Sequence, residues 1–248
     1  MFFEILQNGL YTTKIAPGAE TVPFYFLLFI LLVPYLLGSL NSAVMVSQLL
    51  YHEDIRTKGS GNAGLTNVFR IYGKRAALLT LLGDILKTVL AIGLTVLFFG
   101  IRYRAGLSYS PFCYLAGLAC VIGHIKPVYY RFRGGKGVLT SATAILLLAP
   151  PVFLAAFAVF VIIVRFTKYI SLGSIVSAAA LPLLFQGYMQ AFIYSGDEQH
   201  FFEGGIVLFV FLYSIIVILC HRANIGRLFR HEENKFSFHR EHNGESRK

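Results

Sequence analysis

Long apolar runs dominate the chain. They cover residues 23–50, 76–99, 111–130, 138–164, 172–194 and 205–220, with polar and basic segments between them. A membrane-spanning helix needs roughly 20 mostly apolar residues, and most of these runs reach that length. The first run begins too late, and is too long, for the core of a signal peptide. The run 138–164 decides the count. Read alone, it is either one tilted span or two short helices, 138–149 and 152–164, because Pro150-Pro151 sits at its centre and a proline pair breaks a helix.

Charge separates the two readings. The segment 51–75 carries Arg56, Lys58, Arg70, Lys74 and Arg75. The segment 126–137 carries Lys126, Arg131, Arg133 and Lys136 with no acid. The stretch after Cys220 is basic to the end. All three belong on the cytoplasmic side by the positive-inside rule. The segment 195–204 carries Asp197, Glu198 and Glu203 and no base, which suits the outside. One span at 138–164 would place that acidic loop inside and the basic end outside. The hairpin repairs both and leaves Arg165 and Lys168 inside. The pattern therefore predicts an all-α polytopic membrane protein with seven membrane helices, N-terminus out and C-terminus in. Two of the seven form a short Pro-Pro-linked hairpin, re-entrant or packed inside the bundle. Residues 1–233 read as one integral membrane domain and 234–248 as a basic polar tail.

Composition agrees. Of 248 residues, 56% are hydrophobic and 14% are charged, against about 25% charged in an average soluble domain. Soluble, disordered, collagen-like and small disulfide-rich classes are excluded. The net charge of +10 would suggest nucleic acid in a soluble protein. Here only Lys14, Lys87, Arg102 and Arg104 fall off the cytoplasmic side, so the charge sets topology and a nucleic-acid partner drops out. Cys113, Cys120 and Cys220 show neither metal nor disulfide spacing.

The chemistry-bearing residues lie in the basic loops. The first reads Lys58-Gly-Ser-Gly-Asn-Ala-Gly-Leu-Thr-Asn-Val-Phe-Arg70. Its glycines allow positive φ and close approach of backbone N–H groups to an anion. Ser60, Asn62, Thr66 and Asn67 add neutral hydrogen-bonding groups, and Lys58 and Arg70 add charge. The second places Gly134, Gly135 and Gly137 around Lys136 just before an apolar helix, the setting of an anion site at a helix N-terminus. Its spacing is not that of a Walker A loop. Each loop also reads as an ordinary polar turn or a headgroup-facing basic loop. The third pairs His221 with Asn224 directly after the last span, and histidine is the usual general base near neutral pH. Inside the spans, Asp84 and Lys87 stand at i and i+3 on one helix, either a functional pair or a structural ion pair. Ser39 sits in a small polar patch, Gly38-Ser39-Leu-Asn41-Ser42, that also suits close helix packing.

Taken together, these residues resemble the bacterial acyl-phosphate:glycerol-3-phosphate acyltransferases, over roughly residues 34–233. The likeness is carried by Gly38-Ser39, Asp54-Ile-Arg56 and Gly59-Ser60-Gly61-Asn62-x-Gly64-x-Thr66-Asn67-x-x-Arg70, then by Gly83-Asp84-x-x-Lys87. It continues through Gly123-His124-x-x-Pro127, Phe132-x-Gly134-Gly135-Lys136-Gly137-Val138, Lys168-Tyr-Ile-Ser171 and His221-x-x-Asn224-Ile-x-Arg227-Leu. The resemblance implies seven helices with a cytoplasmic site. It implies transfer of a fatty acyl group from an acyl phosphate to the 1-hydroxyl of sn-glycerol 3-phosphate, giving lysophosphatidic acid and phosphate. It implies no CoA, carrier protein, metal or other cofactor, and a monomer in the bacterial inner membrane. By the same resemblance, Ser60, Lys136, His221 and Asn224 are catalytic, and Arg70 and the 134–137 glycine loop hold phosphate. Ser171 is a further candidate, and Glu232 fills a structural glutamate position.

Two other functions compete. A CoA-dependent acyltransferase typically carries His followed five positions later by Asp, and no histidine here has that partner. An organic-phosphate transporter is expected to bind near the membrane midplane, whereas most charged candidates here sit in loops.

Overall fold

The computed structural model describes residues 24–102, 110–192 and 201–236. Among these residues the chain is helical throughout, with no strand. The acidic segment expected on the outside, the N-terminal stretch and the end of the chain fall wholly or largely outside the described residues.

The first apolar run folds as two helices, α1 (Phe24–Ser39) and α2 (Ser42–Tyr51). The break comes at Leu40-Asn41, where the Asn41 side chain caps α2 by accepting from the Val44 N–H at 3.1 Å. A short helix α3 (Leu65–Tyr72) precedes the long α4 (Lys74–Arg102), and α5 is Ser110–Ile125. Helices α1 and α5 pack backbone to backbone. A side chain at Gly38 would overlap the carbonyl of Cys120, and one at Gly123 would overlap that of Tyr35. Small residues permit this approach where no hydrophobic force separates helix from lipid.

The disputed run 138–164 is two helices, α6 (Val138–Leu148) and α7 (Pro150–Thr167). The break sits at Ala149, and the proline pair occupies the first two positions of α7, where a missing N–H costs nothing. The two arms are unequal, which corrects the expectation of two short ones. At 11 residues, α6 extends about 16 Å, half of a bilayer core of about 30 Å. It is buried in the bundle, with Thr140, Ser141, Ala144, Ile145 and Leu148 inside. Helix α7 has 18 residues, long and apolar enough to cross, and it is exposed over most of its surface. Helices α8 (Ile170–Phe192) and α9 (Phe201–Cys220) follow, and a short α10 (Arg222–Phe229) closes the described chain.

Among the described residues, five helical stretches qualify as membrane spans by length and composition. They are Tyr25–Tyr51, Lys74–Phe98, Pro111–Tyr130, Pro150–Thr167 and Ile170–Ala191, and α9 with α10, bent by 55°, makes a sixth. The seventh expected segment is the short α6. The main apolar cluster draws on α4 through α9, including Ile92, Tyr114, Ile145, Val152, Leu181, Phe185, Val210 and Tyr213.

Candidate active site

Three chain segments distant in sequence meet at one end of the bundle and line a cavity of about 660 Å³. They are the glycine loop with α3 (Ser60 to Arg70), the start of α6 (Lys136 to Ala142), and the stretch from Cys220 to Phe236. The first two are tied together by Arg56. Its guanidinium pairs with Asp54 at 2.7 Å and donates to the carbonyls of Tyr130 at 2.8 Å and Arg133 at 3.2 Å.

The glycine loop is held from inside by Asn67. The buried Asn67 side chain donates to the carbonyls of Lys58 (3.0 Å), Asn62 (3.1 Å) and Ile55 (3.3 Å) and accepts from the Ser60 N–H (3.0 Å). Both ends of the amide are engaged, so Asn67 clamps the loop while also lining the cavity. Gly59 and Gly61 sit at φ +54° and +70°, the left-handed region that glycine enters without strain. Ser60, Asn62, Thr66 and Arg70 line the cavity. Lys58 does not. It is exposed and pairs with Glu53 at 3.1 Å.

The second loop splits likewise. The N–H groups of Gly134 and Gly135 donate to the carbonyls of Ile125 and His124, both at 3.1 Å. They are therefore spent and form no anion nest. These glycines are required by close packing, since a side chain at either would collide with the His124 backbone or ring. Gly137 and Lys136 do line the cavity. Gly137 has φ +76° and opens α6 without a side-chain cap, so the first N–H groups of α6 lack intrahelical acceptors. The Ser141 hydroxyl is buried, lines the cavity, and has no partner among the described residues. Sequence reasoning passed over it, because a serine in the first turns of an apolar helix gives no signal of its own.

The third segment organises the charges. Lys136 donates to the Asn224 side-chain oxygen. The Asn224 amide donates to Glu233 at 2.7 Å, as does the Ser171 hydroxyl, and Arg227 pairs with the other Glu233 oxygen at 2.7 Å. Burial raises the Glu233 carboxyl, but the hydrogen bonds from Ser171, Asn224 and Arg227 outweigh it and hold it below the usual range. Burial brings the Lys136 ammonium down to about 8, with Glu233 opposing and Arg227 assisting. His221 lies just past the end of α9, 2% exposed. Burial lowers its imidazole to about 4, so it is neutral near pH 7. Its Nδ1 lies 2.8 Å from the Val217 carbonyl. A carbonyl only accepts, so Nδ1 carries the proton and Nε2 keeps a lone pair.

Glu233 replaces Glu232 as the buried glutamate. Glu232 is exposed and pairs with Arg230 at 2.7 Å. The offset arises at His231, whose φ of +58° turns the chain so that residue 232 faces out and residue 233 returns to the site. Asn234 and Phe236 line the cavity, and the Phe236 N–H donates to the Lys168 carbonyl at 2.7 Å.

Asp84 and Lys87 form a buried ion pair at 2.8 Å. Lys87 also donates to the carbonyls of Gly38 (3.2 Å) and Leu40 (3.1 Å) and to His124 Nδ1 (2.8 Å). In the sequence His124 stands out only as part of the Gly123-His124-x-x-Pro127 motif; its part in this cluster needs the packing of α4 on α5, which the chain order does not show. Ser39 ties the end of α1 to the segment after α5. Its hydroxyl donates to Tyr35 (2.8 Å) and accepts from the Val128 N–H (3.4 Å).

Below this polar end the cavity becomes apolar and runs between α6, α7, α8 and α9. Fold and cavity together define an integral membrane protein with a basic, hydrogen-bonding chamber that opens into a greasy channel. The family model described as glycerol-3-phosphate acyltransferase matches residues 28–231, and the chain belongs to that family. A glycerol-3-phosphate acyltransferase of Bacillus cytotoxicus is 41% identical over 209 residues, 84% of this chain and 94% of that protein. The crystal structure of PlsY, an integral membrane glycerol 3-phosphate acyltransferase, in its glycerol 3-phosphate form has TM-score 0.70 at 31% identity, covering 85% of this chain and 96% of that one. Its lysophosphatidic acid form has TM-score 0.68 at 30% identity, covering 86% and 96%.

Proposed function

We propose that this protein transfers a fatty acyl group from an acyl phosphate to the 1-hydroxyl of sn-glycerol 3-phosphate. The reaction would take place at the cytoplasmic face of the bacterial inner membrane, with a monomer as the working unit and no cofactor. The observation that carries this reading is the two-part cavity. One end offers Lys136, Arg70 and uncapped N–H groups for phosphate, and the other is an apolar channel sized for an alkyl chain. The printed names of the relatives, and the two bound forms of PlsY, support the acceptor and the product. The basic loops 51–75 and 126–137 and the stretch after Cys220 support a cytoplasmic site.

Chemically, the glycerol hydroxyl attacks the acyl carbonyl, the C–O bond to phosphate breaks, and inorganic phosphate leaves. An acyl phosphate is already activated, so no acyl-enzyme is needed. Lys136, Arg70 and the start of α6 hold two phosphates against their mutual repulsion, and positioning and electrostatics supply most of the acceleration. Neutral His221, with Nε2 unprotonated, takes the hydroxyl proton. Asn224 and Glu233 hold Lys136 in place.

The test supplies purified protein with glycerol 3-phosphate and either an acyl phosphate or the matching acyl-CoA. The expected result is lysophosphatidic acid and one phosphate per turnover from the acyl phosphate alone. Product from acyl-CoA alone would establish a CoA-dependent enzyme. Uptake of glycerol 3-phosphate into vesicles without acylation would establish a transporter.

A further inference from the structure

The channel has a floor, and the floor is built from specific side chains. Along α8 the cavity is lined from Ile170 down to Leu181 and no further. That is eleven positions, about 16 Å at the α-helical rise. On the facing helices the deepest lining residues are Ile145, Phe153 and Tyr213. Ile145, Leu181 and Tyr213 belong to the main apolar cluster, and Phe153 packs against it. The next residues down, such as Leu148, Phe185 and Val210, are buried in the same cluster and do not reach the cavity. The floor of the channel is thus the top of the packed core.

The walls above it are largely apolar: three of their serines are spent within the protein, and Ser141, one turn above Ile145 on α6, has no partner among the described residues. The Ser174 hydroxyl donates to the Ile170 carbonyl (2.9 Å), Ser177 to that of Ala156 (2.7 Å), and Ser214 to that of Ala178. Each is satisfied within the protein, and each keeps the wall thin. On α8, Ser174 and Ala178 leave space at successive turns, and Leu181 is the first large side chain below them. Tyr213 is fixed from behind. Its hydroxyl donates to the Tyr114 carbonyl at 2.9 Å, and Gly117 leaves the space that this hydroxyl fills.

We infer that Leu181, backed by Phe153 and the anchored Tyr213, is the stop that sets the longest acyl chain this protein transfers well. The inference rests on the acyl donor proposed above. A chain that fits ends against Leu181. A longer one must distort, displace a packed core that resists compression, or leave sideways past the half-exposed Phe157.

The experiment measures kcat/KM for a series of saturated acyl phosphates of graded length, with glycerol 3-phosphate as acceptor, using the full-length protein in detergent micelles. Wild type is expected to lose about tenfold or more for each methylene beyond a limiting length. Leu181→Ala should move that limit to longer donors by about the length of the isobutyl group removed. Ala178→Leu, which raises the floor by one turn, should move it to shorter donors, and it supplies the test if Leu181→Ala does not fold. An unmoved limit in an active variant would overturn the stop and show that long chains exit laterally. Wild type that transfers no acyl phosphate of any length would instead overturn the donor reading, and the stop with it.

Discussion

Two lysines stand near the same cavity, Lys87 buried against Asp84 and Lys136 half-buried beside the Asn224–Glu233 pair, and they do opposite things. Lys87 has three N–H bonds and meets four acceptors: Asp84, two carbonyls at the end of α1, and His124. Nothing is left for a ligand. Lys136 has Asn224 as its acceptor among the described residues and faces the cavity. Its carboxylate, Glu233, acts through Asn224 and leaves the ammonium with donors to spare. The first cluster closes a seam between α1, α4 and α5. The second is held open for an anion. Burial alone does not mark a functional lysine; unspent donors do.

This contrast is open to mutation, and the largest effect is expected at the open cluster. His221→Ala should lower kcat about 10²–10⁴-fold with only a modest drop in thermal midpoint from the emptied buried site and the lost bond to the Val217 carbonyl; steady-state kinetics with a parallel melt reads both. Lys136→Ala should cost about 10²–10³-fold, again without loss of fold. Asp84→Ala should invert that pattern. Leaving Lys87 buried and unpaired costs about 3–5 kcal/mol of stability, seen as a lowered unfolding midpoint and poor yield, with the kinetics of the surviving folded fraction changed less than in Lys136→Ala. A stable, inactive Asp84→Ala would erase the distinction between the clusters.

Smaller effects sharpen it. Glu233→Gln removes a charged acceptor of three hydrogen bonds and should lower kcat/KM about 10–100-fold, whereas Glu232→Gln, at an exposed ion pair, should stay within about threefold. The pH profile follows from Lys136. Its lowered value means that it is a cation below about 8 and neutral above. With glycerol 3-phosphate subsaturating, kcat/KM should fall as pH rises through about 8, by up to tenfold per unit, and Lys136→Arg should move that fall to higher pH.

Much of this was legible in the sequence, and the failures have physical reasons. The helical membrane class, the broken 138–164 run and the grouping of three polar segments follow from apolar length, proline and charge. Helical spacing also paired Asp84 with Lys87 correctly. Gly134 and Gly135 were rightly singled out but for the wrong reason, because a glycine run looks alike whether its N–H groups face a ligand or a neighbouring carbonyl. The partners of Lys58 and Asn67, which are Glu53 and the loop's own carbonyls, are not legible in the sequence because they are fixed only once the loop closes. Glu232 was chosen over its neighbour because a single left-handed residue, His231, shifts the register of everything after it.

The most direct test of where phosphate is held is equilibrium binding of glycerol 3-phosphate, without acyl donor, to wild type, Lys136→Ala and Lys58→Ala. The account predicts that Lys136→Ala weakens binding about 10–100-fold and that Lys58→Ala binds like wild type. Wild-type affinity in Lys136→Ala, with binding lost in Lys58→Ala, would contradict it.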